Sequence, residues 1–176
     1  ARGGEVSVRL NGDRVILGDQ SCIRERVAIG DDVVVGRGSL VENDTTIGAM
    51  TKIQADAYIT AYSTLEEHVF IAPCVVTTND NWMGRTEKRF GNIKGPTIRR
   101  GARVGGGAIL CPGIEIGEDA FVGAGAVVTK ENARQRLVRG GAIMAVGTAV
   151  GGFGLFGPSL STILLILTLG AAADLA

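Results

Sequence analysis

The chain has 176 residues, 45% of them apolar, which suits one domain of ordinary size with a filled core. Eighteen basic residues balance eighteen acidic ones, so neither a nucleic-acid field nor a polybasic membrane patch is expected. Glycine is abundant at 27 residues but lacks the three-residue period of collagen, and the three cysteines, Cys22, Cys74 and Cys111, lack metal-ligand spacing.

Residues 1–14 begin without Met, which reads as a fragment or a processed chain, and carry no signal-peptide pattern. Val6 to Leu10 alternate like a short strand and Asn11-Gly12 is a turn signal, so this stretch is expected to cap the fold or form an incomplete first coil.

From residue 15 the pattern changes. An aliphatic residue recurs every six positions at Leu17, Ile23, Ile29, Val35, Val41, Ile47, Ile53, Ile59, Leu65 and Ile71, with Thr77 the first polar member. The step resumes at Ile98 and runs through Val104, Leu110, Ile116, Val122 and Val128. Small or β-branched residues stand two positions before each rung. Glycine follows the rung at 18, 30, 36, 48, 105, 117 and 123, where sharp turning with positive φ is expected. A six-residue period fits neither helix nor plain strand alternation. It is the signature of hexapeptide β-helix repeats, in which three hexads close one coil of about 18 residues around an aliphatic axis. The fold expected is therefore all-β, a parallel β-helix over 15–130. The polar pairs Asp31-Asp32, Asn43-Asp44 and Glu66-Glu67 fall between rungs, at corners expected to be solvated, and the cysteines are expected to be buried or half-buried in a reducing compartment.

One loop, 78–96, breaks the ladder, because the step from Thr77 to Ile98 is not a multiple of six. It carries the only Trp and a dense set of charges, and such an excursion from a regular solenoid usually lies on the functional face. Trp82, Met83 and Phe90 argue against a purely solvated loop. Beyond it, Gly105, Gly106 and Gly107 are echoed 18 residues later by Gly123, Ala124 and Gly125, which predicts a backbone-lined groove with Gly106 and Ala124 stacked.

Residues 131–176 differ in kind. After Arg134, Arg136 and Arg139 no charge occurs from Gly140 to Ala173. This apolar tail, expected to be helical, has three open readings: a membrane anchor, an element that packs in an oligomer, or the product of a shifted reading frame.

The run GPTIRRGARVGGGAILCPGIEIGEDAFVGAGAVVTK over residues 95–130 resembles the hexapeptide-repeat acyltransferases, and VVTTND over 75–80 is similar to their branch that N-acetylates nucleotide-linked amino sugars. The resemblance spans residues 14–130. It implies a left-handed coil, a homotrimer and acetyl-coenzyme A as co-substrate with no metal. It also implies a nucleotide-linked amino sugar as acceptor, a cytoplasmic place in cell-surface polysaccharide synthesis, and membrane contact at most through the tail. The coenzyme positions it implies are Gly106, Ala124 and Lys130. Asn79 and Asp80 stand where O-acetylating relatives carry a histidine base, with Trp82 and Arg85 as acceptor-binding candidates. An amine needs less base assistance than a hydroxyl, so an amine acceptor is favoured. Asn79 would orient it, and Asp80 would take its proton or bind its ammonium, unless both only shape an Asx-type turn. Two alternatives stay open: O-acetylation with His68, the only histidine, as base, or a non-catalytic scaffold. The run 131–136 departs from the family's usual proline-containing continuation, which bears on the outer end of the coenzyme site.

Overall fold

The computed structural model describes residues 9–10 and 12–129; the expectations for residues 1–8, for Lys130 and for the 131–176 tail lie outside the described residues. Eighteen two-residue strands follow the hexad period. They are β1 (Arg9–Leu10), β2 (Ile16–Leu17), β3 (Cys22–Ile23), β4 (Ala28–Ile29), β5 (Val34–Val35), β6 (Leu40–Val41), β7 (Thr46–Ile47), β8 (Lys52–Ile53) and β9 (Tyr58–Ile59). The series continues with β10 (Thr64–Leu65), β11 (Phe70–Ile71), β12 (Val76–Thr77), β13 (Thr97–Ile98), β14 (Arg103–Val104), β15 (Ile109–Leu110), β16 (Glu115–Ile116), β17 (Phe121–Val122) and β18 (Val127–Val128). Every third strand joins the same parallel sheet, giving three six-stranded sheets: the first from β1 to β16, the second from β2 to β17 and the third from β3 to β18. This is the three-sided β-helix that the ladder predicts, wound through six coils.

Each strand turns one side chain inward and one outward. The inward member is the rung: Ile29, Val35, Val41, Ile47, Ile53, Ile59, Leu65, Ile71, Ile98, Val104 and Leu110 are all at most 1% exposed. At roughly 1.5–3 kcal/mol for each buried aliphatic side chain, this axial stack is the main source of stability. The small residues before the rungs have a second task. Ser39, Thr45 and Thr51 are buried, and their hydroxyls donate to the carbonyls of Gln54, Thr60 and Glu66 at 2.8, 3.2 and 2.8 Å, satisfying acceptors that the turn leaves off the strand ladder.

The corners correct two expectations. The glycines that follow the rungs do not use positive φ. Gly18, Gly30, Gly36, Gly48 and Gly105 sit where successive coils nearly touch: a Cβ on Gly36 would come within 2.6 Å of the Ala55 nitrogen, and one on Gly48 within 2.5 Å of the Glu66 carbonyl carbon, whereas one on Gly117 would meet open space. Left-handed backbone occurs instead three residues past the rung, and at Gln20, Arg26, Asp32, Asp44, Met50, Asp56, Tyr62, His68, Cys74 and Asp119 the residue there is not glycine. Nor are the acidic corners simply solvated. Arg14 grips Asp32 with two bonds of 2.6 Å, Arg26 grips Asp44 at 2.7 and 2.8 Å, and Arg99 holds Glu66 at 2.7 Å. The first two pairs are 18 residues apart in sequence because the stacking repeat is one coil. Cys22 and Cys74 are exposed, one pointing outward from β3 and the other at a left-handed corner, while Cys111 is half-buried.

The loop leaves the coil without disturbing its register. Leu65 pairs with Ile98 as Ile47 pairs with Leu65, although the first pair is 33 residues apart and the second 18, so 15 residues are inserted at the corner between the third and first sheets.

Candidate active site

Two features flank the third sheet, one at each edge. At its boundary with the first sheet, the corner residues of successive coils bring Asn43-Asp44, Ala61-Tyr62 and Asn79-Asp80 into one column below the loop. The Asn79 side-chain amide donates to the Ala61 carbonyl at 3.3 Å, and the Asn79 carbonyl accepts from the Lys94 amide at 3.0 Å, closing the base of the loop. Asp80 forms an Asx-type turn: its two carboxylate oxygens accept from the Trp82 and Gly84 amides at 2.8 and 3.0 Å. The Arg89 guanidinium approaches the same carboxylate at 3.5 Å. The Trp82 amide, then that of Gly84, and the charge of Arg89 hold the carboxyl below its usual range.

The rest of the loop is open. Trp82 is half-buried, but Met83 and Phe90 are exposed, so the apolar content of the loop is not packed away as expected. Arg85 is exposed, with its amide bonded to the Trp82 carbonyl at 3.0 Å. A 3-10 helix, Glu87–Gly91, is capped by Thr86, whose hydroxyl accepts from the Lys88 amide. Arg89, not singled out from sequence, stacks over Phe90 at 4.3 Å while it answers Asp80, and its buried Nε has no hydrogen-bond partner. Composition alone does not separate Arg89 from Arg85; only the folding-back of the 3-10 helix does.

At the boundary with the second sheet lies the small-residue corner. Gly125 donates its amide to the Gly106 carbonyl at 2.9 Å, so the two Gly/Ala turns stack one coil apart, and the Gly107 amide reaches the Pro73 carbonyl at 3.0 Å in the coil before. Gly107 and Gly125 have φ of 67° and 70°, and a Cβ added to either would point into open space. Gly106 is half-buried, with room for a Cβ only up to the Pro73 carbonyl at 3.3 Å, and Ala124 is exposed. Backbone therefore faces solvent along two coils, between exposed Phe121 on one side and Ile109 on the other. Such a surface has room for a narrow, flexible arm laid against the backbone, which a larger corner side chain would exclude.

His68 occupies neither edge. It is exposed at the corner between the first and second sheets, the vertex opposite the third sheet, with a left-handed φ of 59°. Among the described residues no group of three His, Cys, Asp or Glu side chains is placed to hold a metal ion, and no helix is long and apolar enough to cross a membrane.

Similarity to known proteins follows the same repeats. The model of the bacterial transferase hexapeptide (six repeats) matches residues 95–130, and that of the hexapeptide repeat of succinyl-transferase matches residues 12–42. A serine acetyltransferase of Buchnera aphidicola subsp. Acyrthosiphon pisum is 44% identical over 48 residues, which is 27% of this chain and 18% of that protein. Among solved structures, the acetyltransferase domain of PglB from Neisseria gonorrhoeae is 18% identical, with 67% of this chain and 44% of that one covered and a TM-score of 0.35. A point mutant of perosamine N-acetyltransferase from Caulobacter crescentus, solved with CoA and GDP-perosamine, is 22% identical over 68% of this chain and 44% of that one, with a TM-score of 0.30. The chain thus spans less than half the length of each of these three proteins. The two repeat matches lie at the two ends of the described coil, and there the chain is similar to the hexapeptide repeats of bacterial transferases.

Proposed function

We propose that the protein is an acetyl-coenzyme A dependent N-acetyltransferase that acts on the amine of a nucleotide-linked amino sugar. The observation that carries this reading is the open backbone corner at Gly106, Gly107, Ala124 and Gly125, where two successive coils carry nothing larger than a methyl group and a ligand can approach the backbone. In the proposed complex the pantetheine arm lies along that corner, and Lys130 meets a coenzyme phosphate. The apolar outer face of the third sheet, with Leu40, Tyr58, Val76, Ile109 and Val127 at its outward positions, is the face proposed to pack in a homotrimer. Trimer packing would bring the loop of one copy toward the groove of the next.

The chemistry follows from the acceptor. A free amine attacks the thioester carbonyl, the C–N bond forms as the C–S bond breaks, and the amine proton ends on the departing coenzyme thiolate. Oxyanion donors would stabilise the tetrahedral intermediate. Asp80, whose ionised form is stabilised by two backbone amides, is a weak base, and its proposed part is to attract the acceptor as its ammonium, which gives its extra proton to solvent before the free amine attacks. Asn79 orients the acceptor, and Trp82 and Arg85 hold its sugar and phosphate.

The test is release of free thiol from acetyl-coenzyme A in the presence of amino-sugar nucleotides. Asn79→Ala should lower kcat/KM by about 10–100-fold, or ~1.4–2.7 kcal/mol, and Gly106→Leu should abolish coenzyme binding by calorimetry. Coenzyme binding without thiol release on any amino-sugar nucleotide would overturn the acceptor assignment. The stretch similar to a serine acetyltransferase supports a second reading, transfer to a hydroxyl with His68 as base. In that case His68→Ala abolishes turnover, whereas the first reading predicts little change.

A further inference from the structure

The vertex opposite the third sheet carries a cavity of about 540 Å³ lined by Asp32, Met50, Lys52, His68, Phe70 and Arg103. Its walls come from two stacked columns. Lys52, Phe70 and Arg103 are successive outward positions of the second sheet, with Phe70 paired to Lys52 on one side and to Arg103 on the other. At a strand spacing of about 4.8 Å, the two cationic residues stand roughly 10 Å apart at the backbone, with an aromatic ring between them. Asp32, Met50 and His68 are successive left-handed corner residues, with φ of 56°, 58° and 59°.

The charges in this cavity are unequal. The single carboxylate, Asp32, is already gripped by both arms of Arg14 at 2.6 Å. Lys52 makes no ion pair among the described residues. Arg103 turns one terminal nitrogen onto the carbonyls of His68, Gly101 and Ala102 at 2.6, 2.7 and 3.3 Å, which fixes the guanidinium over the corner and leaves its other nitrogens for a ligand. Glu67 and Asp119 lie on the same corner but do not line the cavity. An ammonium, an oriented guanidinium and an imidazole therefore surround a floor of Phe70 and Met50.

We infer that this vertex is a second ligand site, distinct from the proposed coenzyme groove, that takes a phosphorylated ligand bearing a flat ring, of the mononucleotide class. The phosphate sits between Lys52 and Arg103 with His68 as third donor, since a guanidinium held in plane suits the geometry of phosphate oxygens. The ring stacks on Phe70, an arrangement that contributes affinity without selecting one base. An anion alone would use the cationic groups and leave the aromatic floor bare.

The chain has a single histidine, so the imidazole proton resonances of untagged full-length protein report on this vertex alone. Titration with AMP, with inorganic phosphate and with adenosine separates ring from phosphate. AMP should shift the His68 resonances, while adenosine binds at least tenfold more weakly. Lys52→Ala and Arg103→Gln should each weaken AMP at least tenfold, and Phe70→Ala should weaken AMP while leaving inorganic phosphate unchanged. Because Arg103 also ties down three carbonyls, Lys52→Glu serves as the independent variant if Arg103→Gln unfolds. AMP affinity should survive in the Gly106→Leu chain, where the proposed groove is closed. The inference is overturned if AMP leaves the His68 resonances in place, if Lys52→Glu binds AMP as tightly as the parent, or if Gly106→Leu loses AMP. Equal affinity for phosphate and AMP overturns the nucleotide assignment.

Discussion

Thr77 is the one polar rung, and the ladder alone predicts that an aliphatic residue there would be better. The structure predicts the opposite. In regular coils the amide after each rung donates to the carbonyl of the rung above, as Gly48 does to Leu65 at 2.7 Å and Gln54 to Ile71 at 2.9 Å. At the loop entrance the corresponding donor, the Thr60 amide, bonds instead to the Thr77 hydroxyl at 2.7 Å, and that hydroxyl donates to the Tyr58 carbonyl at 3.2 Å. Thr77 is fully buried and Thr60 is 4% exposed, so water cannot replace the lost partner. Thr77→Val keeps the shape but orphans the Thr60 amide, at a cost of about 1–3 kcal/mol. Burial of the added methyl offsets about 0.8 kcal/mol of this. The net expectation is a loss of ~0.2–2 kcal/mol, which lowers the urea midpoint by roughly 0.1–1 M for an ordinary dependence on denaturant. Because stacked repeats can open locally, hydrogen exchange at the Thr60 amide is the sharper readout. It should accelerate in Thr77→Val and stay slow in Thr77→Ser. A Thr77→Val chain that is more stable than the parent, with a protected Thr60 amide, would refute the reasoning.

Ile47→Ala should cost about 3–4 kcal/mol in urea unfolding, because the rung is 1% exposed, whereas Thr46→Ala beside it on the outer face should stay within roughly 0.5 kcal/mol. Gly36→Ala should lower the melting temperature more than Gly107→Ala: the first forces a Cβ to 2.6 Å from a neighbouring coil's backbone, while the second meets only the left-handed penalty of about 1–2 kcal/mol. Asp44 is held down to about 2, first by the Arg26 guanidinium and then by the Asn43 amide, below its ordinary 3.8. A depressed carboxyl stabilises the fold above its unfolded pKa, so the stability gap between parent and Asp44→Asn should shrink as pH falls from about 4 toward about 2, as acid titration followed by circular dichroism would show. Asp80→Ala releases the Trp82 and Gly84 amides and should speed tryptic cleavage at Arg85 and Lys88, while Thr86→Ala, which removes only a 3-10 cap, should do so less.

The ladder was legible because inward side chains repeat with the coil, and burial selects them for size and apolarity at every step. Corner conformation was not, because the stacked coil imposes left-handed φ on whatever residue stands three past the rung. Met50, Tyr62 and His68 adopt it with no glycine to announce it. The glycines that do appear after rungs report a different constraint, the closeness of the next coil's backbone, and one residue type cannot declare which constraint it serves. The same ambiguity governs the site. Asp80 at a loop entrance has one sequence signature for holding a turn and for meeting a ligand, and the bonds to Trp82 and Gly84 supply the first role while leaving its charge intact for the second. At Gly106 the reasoning runs the other way. In the earlier described coils the same corner carries at least one larger residue, as in Arg37-Gly38, Ala55-Asp56 and Pro73-Cys74. Only Gly106-Gly107 and Ala124-Gly125 hold nothing beyond a methyl group, and there no larger side chain covers the backbone. The stacking repeat therefore explains why a turn exists at that corner, and the pairing of two small residues in the last two described coils is the part that the proposed coenzyme groove accounts for.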